Sequence, residues 1–88
     1  MSTSTAESEP RAVAVSTTDD ELIVKLQDGR TIIVPLSWYP RLMNGTAEQR
    51  RNFRLFGDGE YINWPEVDED LTVAGLLRGI RAPQKRAG

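Results

Sequence analysis

Glu21-Leu22-Ile23-Val24-Lys25-Leu26-Gln27-Asp28-Gly29-Arg30-Thr31-Ile32-Ile33-Val34-Pro35-Leu36 reads as two β-strands joined by a tight turn: two β-branched, apolar runs flank an Asp-Gly pair. Side-chain parity selects the loop. A two-residue Asp28-Gly29 turn would set Leu22, Val24 and Leu26 beside Thr31, Ile33 and Pro35, and both faces would be only half apolar. A three-residue Gln27-Asp28-Gly29 loop, with Gly29 in the left-handed position of a bulge, gathers Leu22, Val24, Leu26, Ile32, Val34 and Leu36 on one face. The second register buries more on one side and is the one expected. Pro35 lacks a backbone N–H and marks the strand end.

Working outward, Arg11-Ala12-Val13-Ala14-Val15-Ser16 suits a preceding strand, with Thr17-Thr18-Asp19-Asp20 as its turn. After the hairpin, Ser37 is placed to cap a short helix through Met43 that ends at Asn44-Gly45. Thr46-Ala47-Glu48-Gln49 fits a capping box that opens a second helix running to about Arg54. Gly57-Asp58-Gly59 breaks it, and Glu60-Tyr61-Ile62-Asn63-Trp64 alternates as a fourth strand ended by Pro65, with Ile62 opposite Tyr61 and Asn63. Thr72 caps a last helix with Val73, Leu76 and Leu77 as its apolar stripe and Gly79 as its stop. The organisation expected is therefore a disordered lead over residues 1–10, a single α+β domain over 11–80 and a disordered tail over 81–88. Its architecture is a small twisted antiparallel sheet built around the hairpin, with short helices packed on one face.

Composition narrows the chemistry. The 88 residues contain neither cysteine nor histidine, so disulfides, thiolate catalysis, Ser-His-Asp triads and Cys- or His-ligated metals fall away. No apolar run approaches the roughly 20 residues of a membrane span, and no apolar segment follows Met1 as in a secretory leader; a cytoplasmic protein is expected. The net charge of -2 does not suit a general nucleic-acid coat, but the charge is polarised. Arg41, Arg50, Arg51 and Arg54 form a basic middle, and Asp58, Glu60, Glu66, Asp68, Glu69 and Asp70 an acidic block after it.

The segments Asp28-Gly29-Arg30, Val34-Pro35-Leu36-Ser37-Trp38-Tyr39-Pro40-Arg41-Leu42, Glu48-Gln49-Arg50, Trp64-Pro65 and Asp68-Glu69-Asp70 with Gly75-Leu76-Leu77 stand in an order and spacing that resembles the prokaryotic domain-of-unknown-function family 2442. The resemblance implies a small α+β domain of bacteria and their mobile elements, with no established enzymatic activity. It also implies a co-encoded small protein as partner, in a layout like a toxin and antitoxin pair. Some relatives carry an appended DNA-binding helix-turn-helix, for which these 88 residues leave no room.

Two sets of residues compete as the partner-binding site. Tyr39, Arg41, Arg50 and Arg51 combine an aromatic with guanidinium groups, the side chains that dominate interface energetics. Trp38, next to them, is assigned to the core because a small domain needs its area, which leaves Tyr39 as the surface aromatic. The alternative set is the acidic run Glu66, Asp68, Glu69 and Asp70, which would steer a basic partner. Asp68, Glu69 and Asp70, read as a loop before the last helix, lack as a cation site the spaced ligands and central glycine of a calcium loop, and Glu66 or Asp68 with Arg50 lacks the surrounding motif of a hydrolase, so no metal, cofactor or catalytic residue is assigned. The function expected is a non-enzymatic protein–protein interaction module, antitoxin-like or regulatory. The alternative is a nucleic-acid-associated regulator that binds phosphates through the arginine-bearing helix.

Overall fold

Six short strands form two three-stranded antiparallel sheets that share one core. The computed structural model describes residues 10–81. The first sheet has the order β1-β2-β3, with β1 at Ala12–Thr17, β2 at Glu21–Leu26 and β3 at Thr31–Pro35. A 3-10 turn at Leu36–Trp38 leads to α1 (Pro40–Met43) and α2 (Ala47–Arg51). The second sheet has the order β4-β5-β6, with β4 at Arg54–Phe56, β5 at Tyr61–Trp64 and β6 at Glu69–Thr72, and α3 (Val73–Leu77) follows. The disordered segments expected at the two ends lie almost wholly outside the described residues.

The hairpin adopts the register that parity required. Leu22 stands opposite Val34 and Val24 opposite Ile32, and Leu22, Val24, Leu26, Val34 and Leu36 are buried, with Ile32 partly so. Gly29 N–H donates to Leu26 O at 3.1 Å, Leu26 N–H donates to Arg30 O at 2.8 Å, and Gly29 takes a φ of 98°. This is the three-residue loop with a left-handed glycine. Asp28 completes it by accepting from the Arg30 backbone N–H and from its guanidinium, and these contacts hold the exposed carboxyl below its ordinary pKa.

The α+β class stands, but the strands divide between two sheets. Two of the second sheet's strands were not expected. Arg54, placed at the end of a helix by its spacing from Arg50 and Arg51, instead opens β4. Asn52 leaves helical geometry with ψ 75°, and Phe53 packs partly against the core, its ring 6.5 Å from that of Trp64. Glu69 and Asp70, expected in a loop before the last helix, lie in β6 opposite Trp64 and Asn63. A tight turn over Pro65 to Asp68 makes that hairpin possible, and Asp68 takes a φ of 55°, a conformation that aspartate tolerates better than most residues.

The helix caps are mixed. Thr46 and Gln49 form the reciprocal capping box, and the Thr72 side chain accepts from the Gly75 N–H. Ser37 caps nothing: α1 begins after Tyr39, with Pro40 in the first helical position, where its missing N–H costs no hydrogen bond. Leu77, expected in the apolar stripe of α3, is 41% exposed, whereas Val73 and Leu76 are buried.

The core unites Leu22, Val24 and Leu26 of β2 and Val34 of β3 with Ile62 and Trp64 of β5, closed by Leu36, Tyr39, Leu42, Val73 and Leu76. The sheets also meet where Gly59, at a φ of 100°, lies against the backbone of Ala12; a Cβ there would collide with the Ala12 carbonyl oxygen. Truncating Val34 to alanine should destabilise by about 1–3 kcal/mol through lost burial and a partly relaxed cavity. Gly59→Ala should cost more than about 2 kcal/mol, since both the backbone angle and the contact exclude a methyl group. Urea midpoints read both effects, and an unshifted midpoint for either variant contradicts its assignment.

Candidate partner-binding surface

The arginine and tyrosine set divides once it is placed in the fold. Tyr39, expected on the surface, is 1% exposed, and its hydroxyl donates to Ile80 O at 2.8 Å. Burial is the main reason its pKa lies above the ordinary phenol value; Glu69 adds to the shift and Arg81 opposes it. The ring is a core side chain whose one polar atom is satisfied 41 residues along the chain. Trp38 is only half-buried, its ring edge-on to Tyr39, with the Arg81 guanidinium carbon 4.6 Å from its centroid. Tyr39 is thus the core ring, and Trp38 packs against the core from its rim.

Arg50 is also structural. Its Nη1 donates to Gly45 O at 2.7 Å and to Leu42 O at 3.0 Å, so the guanidinium closes the C-terminal end of α1. Its own carbonyl accepts from the buried Trp64 Nε1 at 3.0 Å. Arg41 and Arg51 remain exposed. Arg41 donates to Asp68 O at 2.6 Å and lies 3.7 Å from its carboxylate. Arg51 borders a groove of about 380 Å³ between β1 and α2, together with Val15, Ala47 and Phe53. Arg50, which also lines this groove, already spends its Nη1 on backbone carbonyls. A continuous exposed surface of Tyr39, Arg41, Arg50 and Arg51 does not form.

The acidic set divides by strand parity. Glu66 is exposed and accepts from Asn52 Nδ2 at 2.5 Å; Asp68 is exposed beside Arg41; Asp70 is exposed and accepts from Asn63 Nδ2 at 2.5 Å. Glu69 points the other way. It is 9% exposed and borders a cavity of about 230 Å³ along the outer edge of β6. Burial raises its pKa above the ordinary carboxylate value, Arg41 and the Asp70 backbone N–H pull it down, and Asp70 and Asp68 push it up.

The second sheet supplies surface aromatics that sequence reasoning did not select. Phe56, Tyr61 and Thr72 are directly opposite one another across β4, β5 and β6, and the next row is Arg54, Asn63 and Asp70. Phe56 and Tyr61 are each 49% exposed. Two rings side by side, with a guanidinium and an amide-carboxylate pair in the neighbouring row, have the composition of an interface centre. The signal was present in the alternation that set Tyr61 opposite Ile62; without β4 identified, Phe56 had no cross-strand partner. The outer face of the first sheet exposes Ile33 instead, an aliphatic surface without rings.

These features define a small two-sheet α+β domain with an uncovered aromatic face, and among the described residues no helix is long and apolar enough to cross a membrane. The chain belongs to the protein family of unknown function DUF2442, whose model matches residues 12–82. A crystal structure of a protein of unknown function from Rhodospirillum rubrum is 28% identical with a TM-score of 0.75, over 88% of this chain and 95% of that one. The solution structure of an uncharacterized protein from Chromobacterium violaceum shares the fold at 20% identity and a TM-score of 0.70, over 83% of this chain and 69% of that one. A search of curated proteins gave no match.

Two measurements check these placements. Arg50→Ala should destabilise by about 1.5–3 kcal/mol, because the carbonyls of Leu42 and Gly45 lose a charged donor; denaturant melts that match wild type contradict this role. A carboxyl whose pKa is raised by folding binds its proton more tightly in the folded state, so its contribution to stability declines as pH rises from the unfolded value toward the folded one. Glu69→Gln should therefore gain in melting temperature over wild type as pH rises through and above 4.5, the ordinary value for the group. A difference that shrinks with pH contradicts this.

Proposed function

We propose that this protein is a non-enzymatic protein–protein interaction module, the antitoxin-like or regulatory member of a two-protein bacterial or mobile-element system. Its partner, a co-encoded small protein, docks on the outer face of the second sheet. The observation that carries this reading is the exposed Phe56–Tyr61 pair on adjacent strands, flanked by Arg54. Large rings held by a sheet present contact area at little entropic cost, since their backbone is already fixed. Such a side-by-side apolar display on a small domain is a feature that a partner surface would cover.

The arrangement of the arginines weighs against the alternative of a phosphate-binding helix. Arg54 leaves the helix for β4, Arg50 is engaged by carbonyls, and Arg41 lies against Asp68. A nucleic-acid ridge needs several guanidinium groups presented together to displace counterions.

The test is a titration of the full chain against the co-encoded small protein. Phe56→Ala and Tyr61→Ala should each weaken binding by about 1 kcal/mol or more and leave the melting temperature nearly unchanged. If only Arg41→Ala or Arg51→Ala weakens binding, the interface lies on the helical side and the proposed face is wrong. If the neighbour does not bind while a single-stranded oligonucleotide does, with an affinity that falls steeply with salt, the module reading gives way to the nucleic-acid one.

A further inference from the structure

We infer that the cavity along the outer edge of β6 is a socket for an arginine side chain of the partner protein, whose guanidinium pairs with the Glu69 carboxylate. The inference rests on the reading of the chain as an interaction module and adds the chemistry of one contact. The cavity, of about 230 Å³, is walled by Tyr39, Leu71, Leu76 and Ile80, with Glu69, Asp70 and Arg81 as the charged groups on its lining; the Asp70 carboxylate is already engaged by Asn63 Nδ2. Glu69 is nine-tenths buried, and no cation among the described residues lies within ion-pair distance of it. The nearby cations are engaged elsewhere: Arg41 lies against the Asp68 backbone and carboxylate, and Arg81 lies over the Trp38 ring. Among the described residues Arg41 acts on this carboxylate only from beyond ion-pair distance, so a cation that enters the cavity supplies the close counter-charge that a largely buried anion lacks.

The walls specify the shape of the occupant. Leu71, Leu76, Ile80 and the Tyr39 ring line the cavity with apolar surface beside the Glu69 carboxylate, a combination that suits the apolar stem and charged head of a basic side chain. Guanidinium suits the site better than ammonium, because it is more weakly hydrated and its fork matches a carboxylate. Among the described residues β6 pairs only with β5, so a chain lying along its other edge can direct a side chain inward. Thr72 and Asp70 belong both to this edge and to the rows of the outer face, so one partner can span both.

The test uses the full chain and three small probes followed by nuclear magnetic resonance: n-butylguanidinium, n-butylammonium and n-butanol. Saturable shifts at Glu69, Leu71, Leu76 and Ile80 are expected with butylguanidinium, weaker ones with butylammonium and none with butanol. Glu69→Gln should weaken butylguanidinium binding about tenfold or more. Asp68→Asn and Asp70→Asn should not alter it. An undiminished response in Glu69→Gln, or one lost instead in the Asp68 or Asp70 variants, overturns the inference in favour of general attraction to surface acids. If Glu69→Gln fails to fold, the comparison with butanol decides: equal shifts overturn the socket, and their absence supports it. Because the titration needs no partner, a positive result with no binding of the neighbouring protein overturns only the module reading, and the reverse overturns only the socket.

Discussion

Trp64 has no exposed surface, yet its indole carries an N–H that must keep an acceptor when water is removed. That acceptor is the carbonyl of Arg50, and the contact pins the end of α2 against the second sheet. The same residue turns its guanidinium back onto the carbonyls of Leu42 and Gly45. One ring on β5 and one arginine on α2 therefore link α1, α2 and the second sheet in a continuous series of hydrogen bonds. The helices are four and five residues long, too short to persist in water by themselves, so these tertiary contacts are what hold them.

The same requirement explains why the aromatic residues do not sit where their type alone suggests. Tyrosine tolerates burial when its hydroxyl is satisfied, and Tyr39 finds the Ile80 carbonyl; its ring is then buried in the core together with Leu36 and Leu42. Trp38, next along the chain, is turned partly outward and covered by Arg81. With both large buried rings assigned to structure, the aromatics left for recognition are Phe56 and Tyr61, which occupy one face because β4 and β5 pair directly there.

Glu69 differs from Trp64 and Tyr39: it is a largely buried charged group with no cation within ion-pair distance among the described residues. Its neighbours in β6, Asp70 and Thr72, face outward as polar residues ordinarily do, whereas the carboxylate of Glu69 shares the inward parity of Leu71. A group that costs stability in the isolated domain and borders a cavity is the pattern expected where binding and stability compete. The aromatic face and the carboxylate both involve β6, so a single strand sets the two halves of the proposed contact.

What the sequence by itself determined is local. The register of the first hairpin follows from alternation and from one glycine in a three-residue loop, and the Thr46–Gln49 box and the Thr72 cap follow from residues three positions apart. Each of these is settled by groups close together in the chain. Tertiary structure decided the fates of Tyr39, Arg50 and Glu69, because Tyr39 bonds a carbonyl 41 residues away, Arg50 accepts from a ring 14 residues away, and Glu69 faces inward only once β6 pairs with β5. It also decided that Arg54 leaves the helix, since spacing alone fits a continued turn, whereas three residues of alternation become a strand only when β5 is there to pair with them.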